Sequence, residues 1–199
     1  MIDGHPELIR IKTALRESGG PVDERAGADE ERRDAAVALI MRVGEPLDFL
    51  LIKRASSERD PWSGQMALPG GRWERSDSGL LHTARRETLE ETGLNLEVKG
   101  IPLGRLPDVV TQSAHLPKLR IAPFVFAVPE AASASVVSRR ELDAVHWVPF
   151  SDLARPEIQS EIVIKRPGFQ KRFPSYHVVG EHVWGMTYGI LAGVRELLG

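Results

Sequence analysis

Between residues 66 and 94 the chain sets a short apolar stretch, Met66-Ala67-Leu68, ahead of Pro69-Gly70-Gly71, then a helix-patterned segment carrying Glu87, Glu90 and Glu91 and closed by Gly93. At about 100° per residue, positions i, i+3 and i+4 share one helix face. Three carboxylates at that spacing repel one another, and like charges destabilise a helix. Such a segment constrains the fold: one face must pack on a sheet, while the other faces something that offsets the charge. A hard divalent cation bound through carboxylate oxygens does this; a solvated acidic face is the commoner origin of a Glu-rich stretch. Leu81, Ala84, Thr88 and Thr92 supply an adjoining face suited to a sheet, and Leu89 completes the apolar girdle. Arg86, four residues before Glu90, is placed to brace it. Consecutive glycines permit close backbone approach, so a turn at Gly70-Gly71 can offer a carbonyl to the same cation and room for a phosphate. A glycine pair alone is an ordinary tight turn; the ordered combination carries the argument.

The rest of the chain predicts what surrounds that helix. Leu8, Ile11 and Leu15 predict a short amphipathic helix over residues 7 to 17, and the charged, apolar-poor segment 22 to 34 reads as a flexible linker. This N-terminal part (1–34) either docks on the domain that follows (35–199) or mediates contacts in a homodimer. Strands are expected at 35–43, 47–54, 66–68, 94–105, 119–128 and 144–148, a helical turn at 150–154, a hairpin from 160–166 and 173–179, and helices at 78–92 and 181–198. Strands and helices mix without regular alternation, which argues for an α+β or mixed-sheet α/β sandwich rather than a doubly wound fold.

The 199 residues include no cysteine, which excludes disulfides, thiolate metal sites and cysteine nucleophiles. The net charge is -2 with both signs interspersed, so no polybasic stripe points to nucleic acid or to an anionic membrane. No apolar run is long enough to span a bilayer, and the first residues lack the pattern of a secretory signal. A cytoplasmic protein acting on a small molecule is the expectation.

Residues Gly71 to Leu94 closely resemble the Nudix box, G-x5-E-x7-R-E-U-x-E-E-x-G-U with U a bulky aliphatic. Gly71, Arg86, Glu87, Glu90, Glu91, Gly93 and Leu94 match. The mid-box acid is Asp77 rather than Glu and stands eight residues before Arg86 instead of seven, and Thr88 replaces the aliphatic U. The resemblance implies a Nudix-like α/β/α sandwich with a mixed central sheet and a catalytic acidic helix. It further implies cleavage of a nucleoside diphosphate linked to another moiety, with Mg²⁺ or Mn²⁺ activating water. Carried over by position, Glu87, Glu90 and Glu91 would be metal ligands, the Gly71 carbonyl an added ligand, and Arg86 the residue that orients the glutamates. The base would be Glu91 or Glu87; Glu141 is a further candidate, although a surface acid after Arg139-Arg140 is its plainer reading.

Leu50-Leu51-Ile52-Lys53-Arg54, Gly64 to Gly71, Ile121 to Val125 and Trp184-Gly185-Met186-Thr187 resemble the coenzyme A pyrophosphatase branch, whose members yield 4′-phosphopantetheine and adenosine 3′,5′-bisphosphate. That branch usually has a histidine where this chain has Trp62. Trp62 either stacks on a base or caps the core; Gly70 is a candidate phosphate contact, and Arg54 either contacts a phosphate or is an exposed arginine at a strand end. The loop from Pro107 to Pro117, with Asp108, Gln112 and His115, either shapes the pocket or is a surface connection. Trp147 and Trp184 read as packing anchors, and the remaining histidines show no metal spacing. Two other readings stand beside this one: a Nudix hydrolase of another diphosphate (ADP-ribose, a dinucleoside polyphosphate or a modified nucleotide), and a catalytically silent nucleotide-binding domain. A dinucleotide-binding oxidoreductase is disfavoured because Gly70-Gly71 is no G-x-G-x-x-G fingerprint.

Overall fold

The computed structural model of the chain describes residues 4–18, 34–57, 62–111, 119–166 and 169–198. Helix α1 spans Pro6–Ser18 and buries Leu8, Ile11 and Leu15. The linker expected at 22–34 lies outside the described residues, except Asp34, which opens strand β1 (Asp34–Val43). Strand β2 (Asp48–Arg54) returns antiparallel to β1, and β3 (Met66–Ala67) extends the sheet beyond β2.

Gly70-Gly71 is not the tight turn expected. It belongs to a short strand, β4 (Gly70–Arg72), paired antiparallel with the start of β1. The reason is steric: a Cβ on Gly70 would stand 2.3 Å from the Ala36 carbonyl oxygen and 2.6 Å from Val37 Cα. Only glycine lets the chain lie that close along β1.

Helix α2 (Leu80–Thr92) ends at Gly93, whose φ of 70° is the left-handed cap expected, with its N–H donating to the Leu89 carbonyl. The strand expected at 94–105 is split. Asn95 caps a one-turn helix, α3 (Leu96–Lys99), by accepting from the Glu97 and Val98 N–H groups, and strand β5 begins only at Ile101 (Ile101–Arg105). Strands β6 (Val109–Val110), β7 (Arg120–Pro129) and β8 (Leu142–Pro149) follow, then a 3-10 turn at Phe150–Ala154 and the expected hairpin of β9 (Gln159–Arg166) and β10 (Phe169–Val178). The final helix starts later than expected. Glu181–Trp184 forms β11 on β10, and α4 (Gly185–Leu198) begins after the chain turns at Gly185, φ 64°.

Strands β1 to β8 make one sheet, ordered β3-β2-β1-β7-β5 on its main path with β4 on β1, β6 on β7 and β8 on β2. β1 and β7 run parallel and the other pairs antiparallel, so the sheet is mixed. Alternation along β1 sorts its side chains into two cores. Ala36, Ala38 and Ile40 join Leu80, Leu81 and Ala84 of α2 on one face. Leu39 and Met41 join Leu15 of α1 and Leu191 and Val194 of α4 on the other. Both faces of β1 are therefore covered, which is why its apolar run is continuous rather than alternating. The architecture is the α/β/α sandwich expected, and α1 packs against β5 and α4.

Candidate active site

The buried side of α2 fixes how its acidic side is presented. Leu80, Leu81, Thr83, Ala84, Thr88 and Thr92 are buried. Thr88, in a position the box gives to an aliphatic residue, satisfies its hydroxyl by donating to the Ala84 carbonyl at 2.7 Å, and Thr92 does the same to Thr88 at 2.6 Å. Leu89 departs from the expected girdle: it is exposed.

Asp77 is the hub of the site. Its carboxylate is fully buried and accepts from Arg86 Nε at 2.8 Å and Nη2 at 3.0 Å, from Thr83 Oγ1 at 2.8 Å and from the Glu74 N–H at 3.1 Å. His82 Nδ1 stands 3.0 Å from the same carboxylate. Burial opposes its ionisation, but the hydrogen bonds of Arg86, Glu74 and Thr83 outweigh burial and hold its pKa well below the ordinary carboxylate range. So anchored, Arg86 donates through Nη1 to Glu87 Oε1 at 3.0 Å and to Glu90 Oε2 at 3.1 Å, and through Nη2 to the Arg72 carbonyl at 3.1 Å. Arg86 braces Glu90 as expected, but it also ties α2 to β4 and to the loop before the helix.

The three glutamates occupy different environments. Glu90 is half exposed. Glu87 is largely withdrawn from solvent, and burial pushes its pKa up against the pull of Arg86. Glu91 is buried, and burial pushes its carboxyl up to about 8 even though the Gly70 N–H donates to its Oε2 at 3.0 Å. Gly71 lies directly against Glu87: a Cβ there would stand 2.3 Å from Glu87 Oε1. The strand β4 and the acidic face of α2 therefore meet without an intervening side chain.

Among the described residues, no three acidic or imidazole groups already converge as a metal site. Glu87 and Glu90 are turned onto Arg86, and Glu91 onto Gly70. The chemistry of the donors nonetheless fits a hard divalent cation. All are oxygens, and of the two desolvated carboxylates Glu87 shares Arg86 with Glu90, while Glu91 has the charge of Arg54 and the Gly70 N–H.

Beside this face a cavity of about 330 Å³ opens, lined by both Gly70 and Gly71. Arg54 and Trp62, the two candidate substrate contacts from the loop and strand before the box, both line it. Arg54 also favours the charged form of Glu91. Trp184 lines the cavity too, with Met186, Thr187 and Ile190 of α4. Trp184 packs on Phe173, ring centroids 5.5 Å apart, and lines the cavity as well, which its local apolar pattern does not reveal because β11 carries it to the box. Trp147 keeps a packing role, with the Arg42 guanidinium 4.2 Å above its ring. Glu141 is exposed, and its charge adds to the forces raising the Glu91 pKa. Asp108 pairs with Arg105 and, at 3.5 Å, with Arg120, a structural role; Gln112 and His115 lie outside the described residues.

A model of the NUDIX domain matches residues 31–167. An uncharacterised Schizosaccharomyces pombe protein is 34% identical over 165 residues, which are 72% of this chain and 50% of that protein, so this chain spans about half the length of that relative. The uncharacterised Nudix hydrolase NudL of Enterobacter sp. (strain 638) is 34% identical over 166 residues, 83% of this chain and 81% of the relative. A crystal structure of a C. elegans Ap4A hydrolase binary complex superposes with a TM-score of 0.50 at 15% identity, covering 63% of this chain and 88% of that one, a likeness of fold alone. With the sandwich, the acidic helix and these matches in agreement, the chain belongs to the Nudix family and is, with it, a pyrophosphate-cleaving hydrolase.

Proposed function

We propose that this Nudix hydrolase uses a divalent cation, Mg²⁺ or Mn²⁺, to cleave coenzyme A or one of its derivatives to 4′-phosphopantetheine and adenosine 3′,5′-bisphosphate. The observation that carries the reading is the junction of two unlike environments at Gly70-Gly71. On one side stand three carboxylates suited to a cation, and on the other a largely apolar cavity lined by two arginines, Arg54 and Arg72, of which Arg54 acts on Glu91. A substrate with a polyanionic centre and a long, weakly polar arm fits that junction. The segments resembling coenzyme A pyrophosphatases line it: Gly64 to Gly71 and Trp184 to Thr187 both contribute to the cavity wall.

In this proposal Glu87, Glu90 and Glu91 hold the cation, with the Gly71 carbonyl beside them. When bound, the cation neutralises non-bridging phosphate oxygens and lowers the pKa of the attacking water. The chain's own groups do the rest. Asp77 and Arg86 hold Glu87 and Glu90 together on α2 beside β4. Gly70 and Gly71 let the pyrophosphate approach the backbone, and Arg54 offers a guanidinium to a phosphate. The proton of the attacking water passes to Glu91 or Glu87, the two carboxylates withdrawn from solvent. Trp62 and Trp184 wall the cavity that receives the arm.

A panel of coenzyme A, acyl-coenzyme A, ADP-ribose, a dinucleoside polyphosphate and nucleoside triphosphates, each with Mg²⁺ and with Mn²⁺, tests the substrate. Release of 4′-phosphopantetheine at the highest kcat/KM supports the proposal. Preferred cleavage of a diphosphate lacking the pantetheine arm rejects coenzyme A while leaving the hydrolase intact.

A further inference from the structure

The three-stranded sheet ends in an open edge. Its order is β11-β10-β9, and among the described residues β9 pairs with β10 alone. Half of the N–H and C=O groups of an eight-residue strand, Gln159–Arg166, therefore point away from β10 with no ladder partner among the described residues. Proteins protect such edges with prolines, bulges or a surplus of one charge, and β9 contains no proline. Its charges are one acid, Glu161, and two bases, Lys165 and Arg166; Glu161 and Lys165 stand symmetrically two residues either side of Val163.

That symmetry has a consequence for self-pairing. If two copies of β9 lie antiparallel about a two-fold axis at Val163, Glu161 of each stands opposite Lys165 of the other, and Ile162 stands opposite Ile164. Alternation keeps the two sets on opposite faces. One face carries Val163 flanked by two Glu–Lys pairs, and the other carries four isoleucine side chains continuous with Phe173, the residue opposite Ile162 on β10. The symmetric registers centred on Ile162 or Ile164 place Glu161 opposite Val163 or Val163 opposite Lys165, leaving the charges without partners. Exposure agrees: Glu161, Val163 and Lys165 are exposed in the single chain, and Val163 keeps 39% of its surface accessible. The intrachain pair from Arg172 Nη1 to Glu161, at 3.2 Å, is solvent-exposed on both sides, so it gives little stabilisation that the new pair must replace.

We infer that β9 is the edge through which two copies of this chain join, by antiparallel β9–β9 pairing in the register that sets Glu161 against Lys165. The interface is isologous and extends the two three-stranded sheets into one of six strands. It lies outside the acidic site, so it stands or falls independently of the substrate.

Sedimentation or light scattering of the full chain over a wide concentration range tests it, with Glu161→Lys, Lys165→Glu and the double exchange. Each single variant sets like charges opposite one another twice per dimer and should weaken association about tenfold or more. The double exchange restores the opposite charges and should return the dissociation constant to within about threefold of the native value. Thermal melts of all three variants separate loss of pairing from loss of folding. A monomer at every concentration overturns the inference and leaves the edge for a strand of another protein. A dimer that neither single variant weakens, or that the double exchange fails to restore in folded protein, also overturns it.

Discussion

Asp77 lies outside the acidic helix, yet it determines how two of the three glutamates are held. Its carboxylate is buried on Arg86, and Arg86 in turn holds Glu87 and Glu90. Removing one partner of a buried pair costs about 3–5 kcal/mol; Asp77→Ala should fall near about 3, because Arg86 keeps its glutamate partners. Denaturant titration measures that loss, and a concurrent fall in cation-dependent turnover follows if Arg86 no longer fixes the glutamates. Glu91 gives a prediction with the opposite pH sense from an ordinary ion-paired acid. Its folded pKa, about 8, is above the ordinary glutamate value of 4.5 that the unfolded chain keeps, so between them the folded state binds the proton that the unfolded state has lost. The stability tied to protonated Glu91 is therefore fully present below about 4.5 and disappears as pH rises through about 8. In EDTA the melting temperature should fall across that window, and Glu91→Gln should flatten the fall; an unchanged slope in the variant removes Glu91 as its cause. The two glycines separate in the same way. A Cβ at Gly71 meets only the flexible end of Glu87, whereas one at Gly70 meets the backbone of Ala36 and Val37. Gly71→Ala should keep the fold and lose turnover, while Gly70→Ala should cost more than about 1 kcal/mol of stability. Equal stabilities in the two variants contradict this.

At the scale of elements, α2 was legible because its signals are local: apolar spacing, three acids at i, i+3 and i+4, and a glycine at the left-handed C′ position. Three elements were not, each for a nameable reason. Gly70-Gly71 carries the chemistry of a turn, but the pairing of β4 with β1 is a contact across more than thirty residues that local propensity does not contain. Asn95 caps α3 inside a stretch whose apolar content reads as strand. The apolar spacing before Gly185 continues that of α4, so β11 was absorbed into the helix and Trp184 was misplaced with it. Helix α1 makes its own prediction. It seats Leu15 where a Cβ on Gly104 of β5 would lie 2.8 Å from Leu15 Cβ. Gly104→Ala should cost about 1–3 kcal/mol through overpacking. A variant as stable as the native chain would show that α1 is not held against β5.

Across the whole molecule, the cavity is assembled from segments far apart in sequence: Arg54 and Trp62 before the box, Leu119 and Ile121 at the start of β7, and Trp184 to Ile190 at the end of the chain. This explains why candidate metal ligands could be named from one helix, while of the cavity wall only Arg54, Trp62 and the glycines of the box could be. Trp184→Ala should raise KM about tenfold with a smaller change in kcat, as loss of a binding surface requires; an unchanged KM removes Trp184 from the substrate site. The central claim, that the acidic face of α2 carries cation-dependent cleavage, is tested most directly by hydrolysis of coenzyme A and ADP-ribose by the native chain and by Glu91→Gln, with Mg²⁺, with Mn²⁺ and with EDTA. Turnover of at least one substrate that EDTA abolishes is expected, with a loss of about two orders of magnitude or more in folded Glu91→Gln. Native-like turnover in that variant, or cleavage indifferent to EDTA, would contradict it.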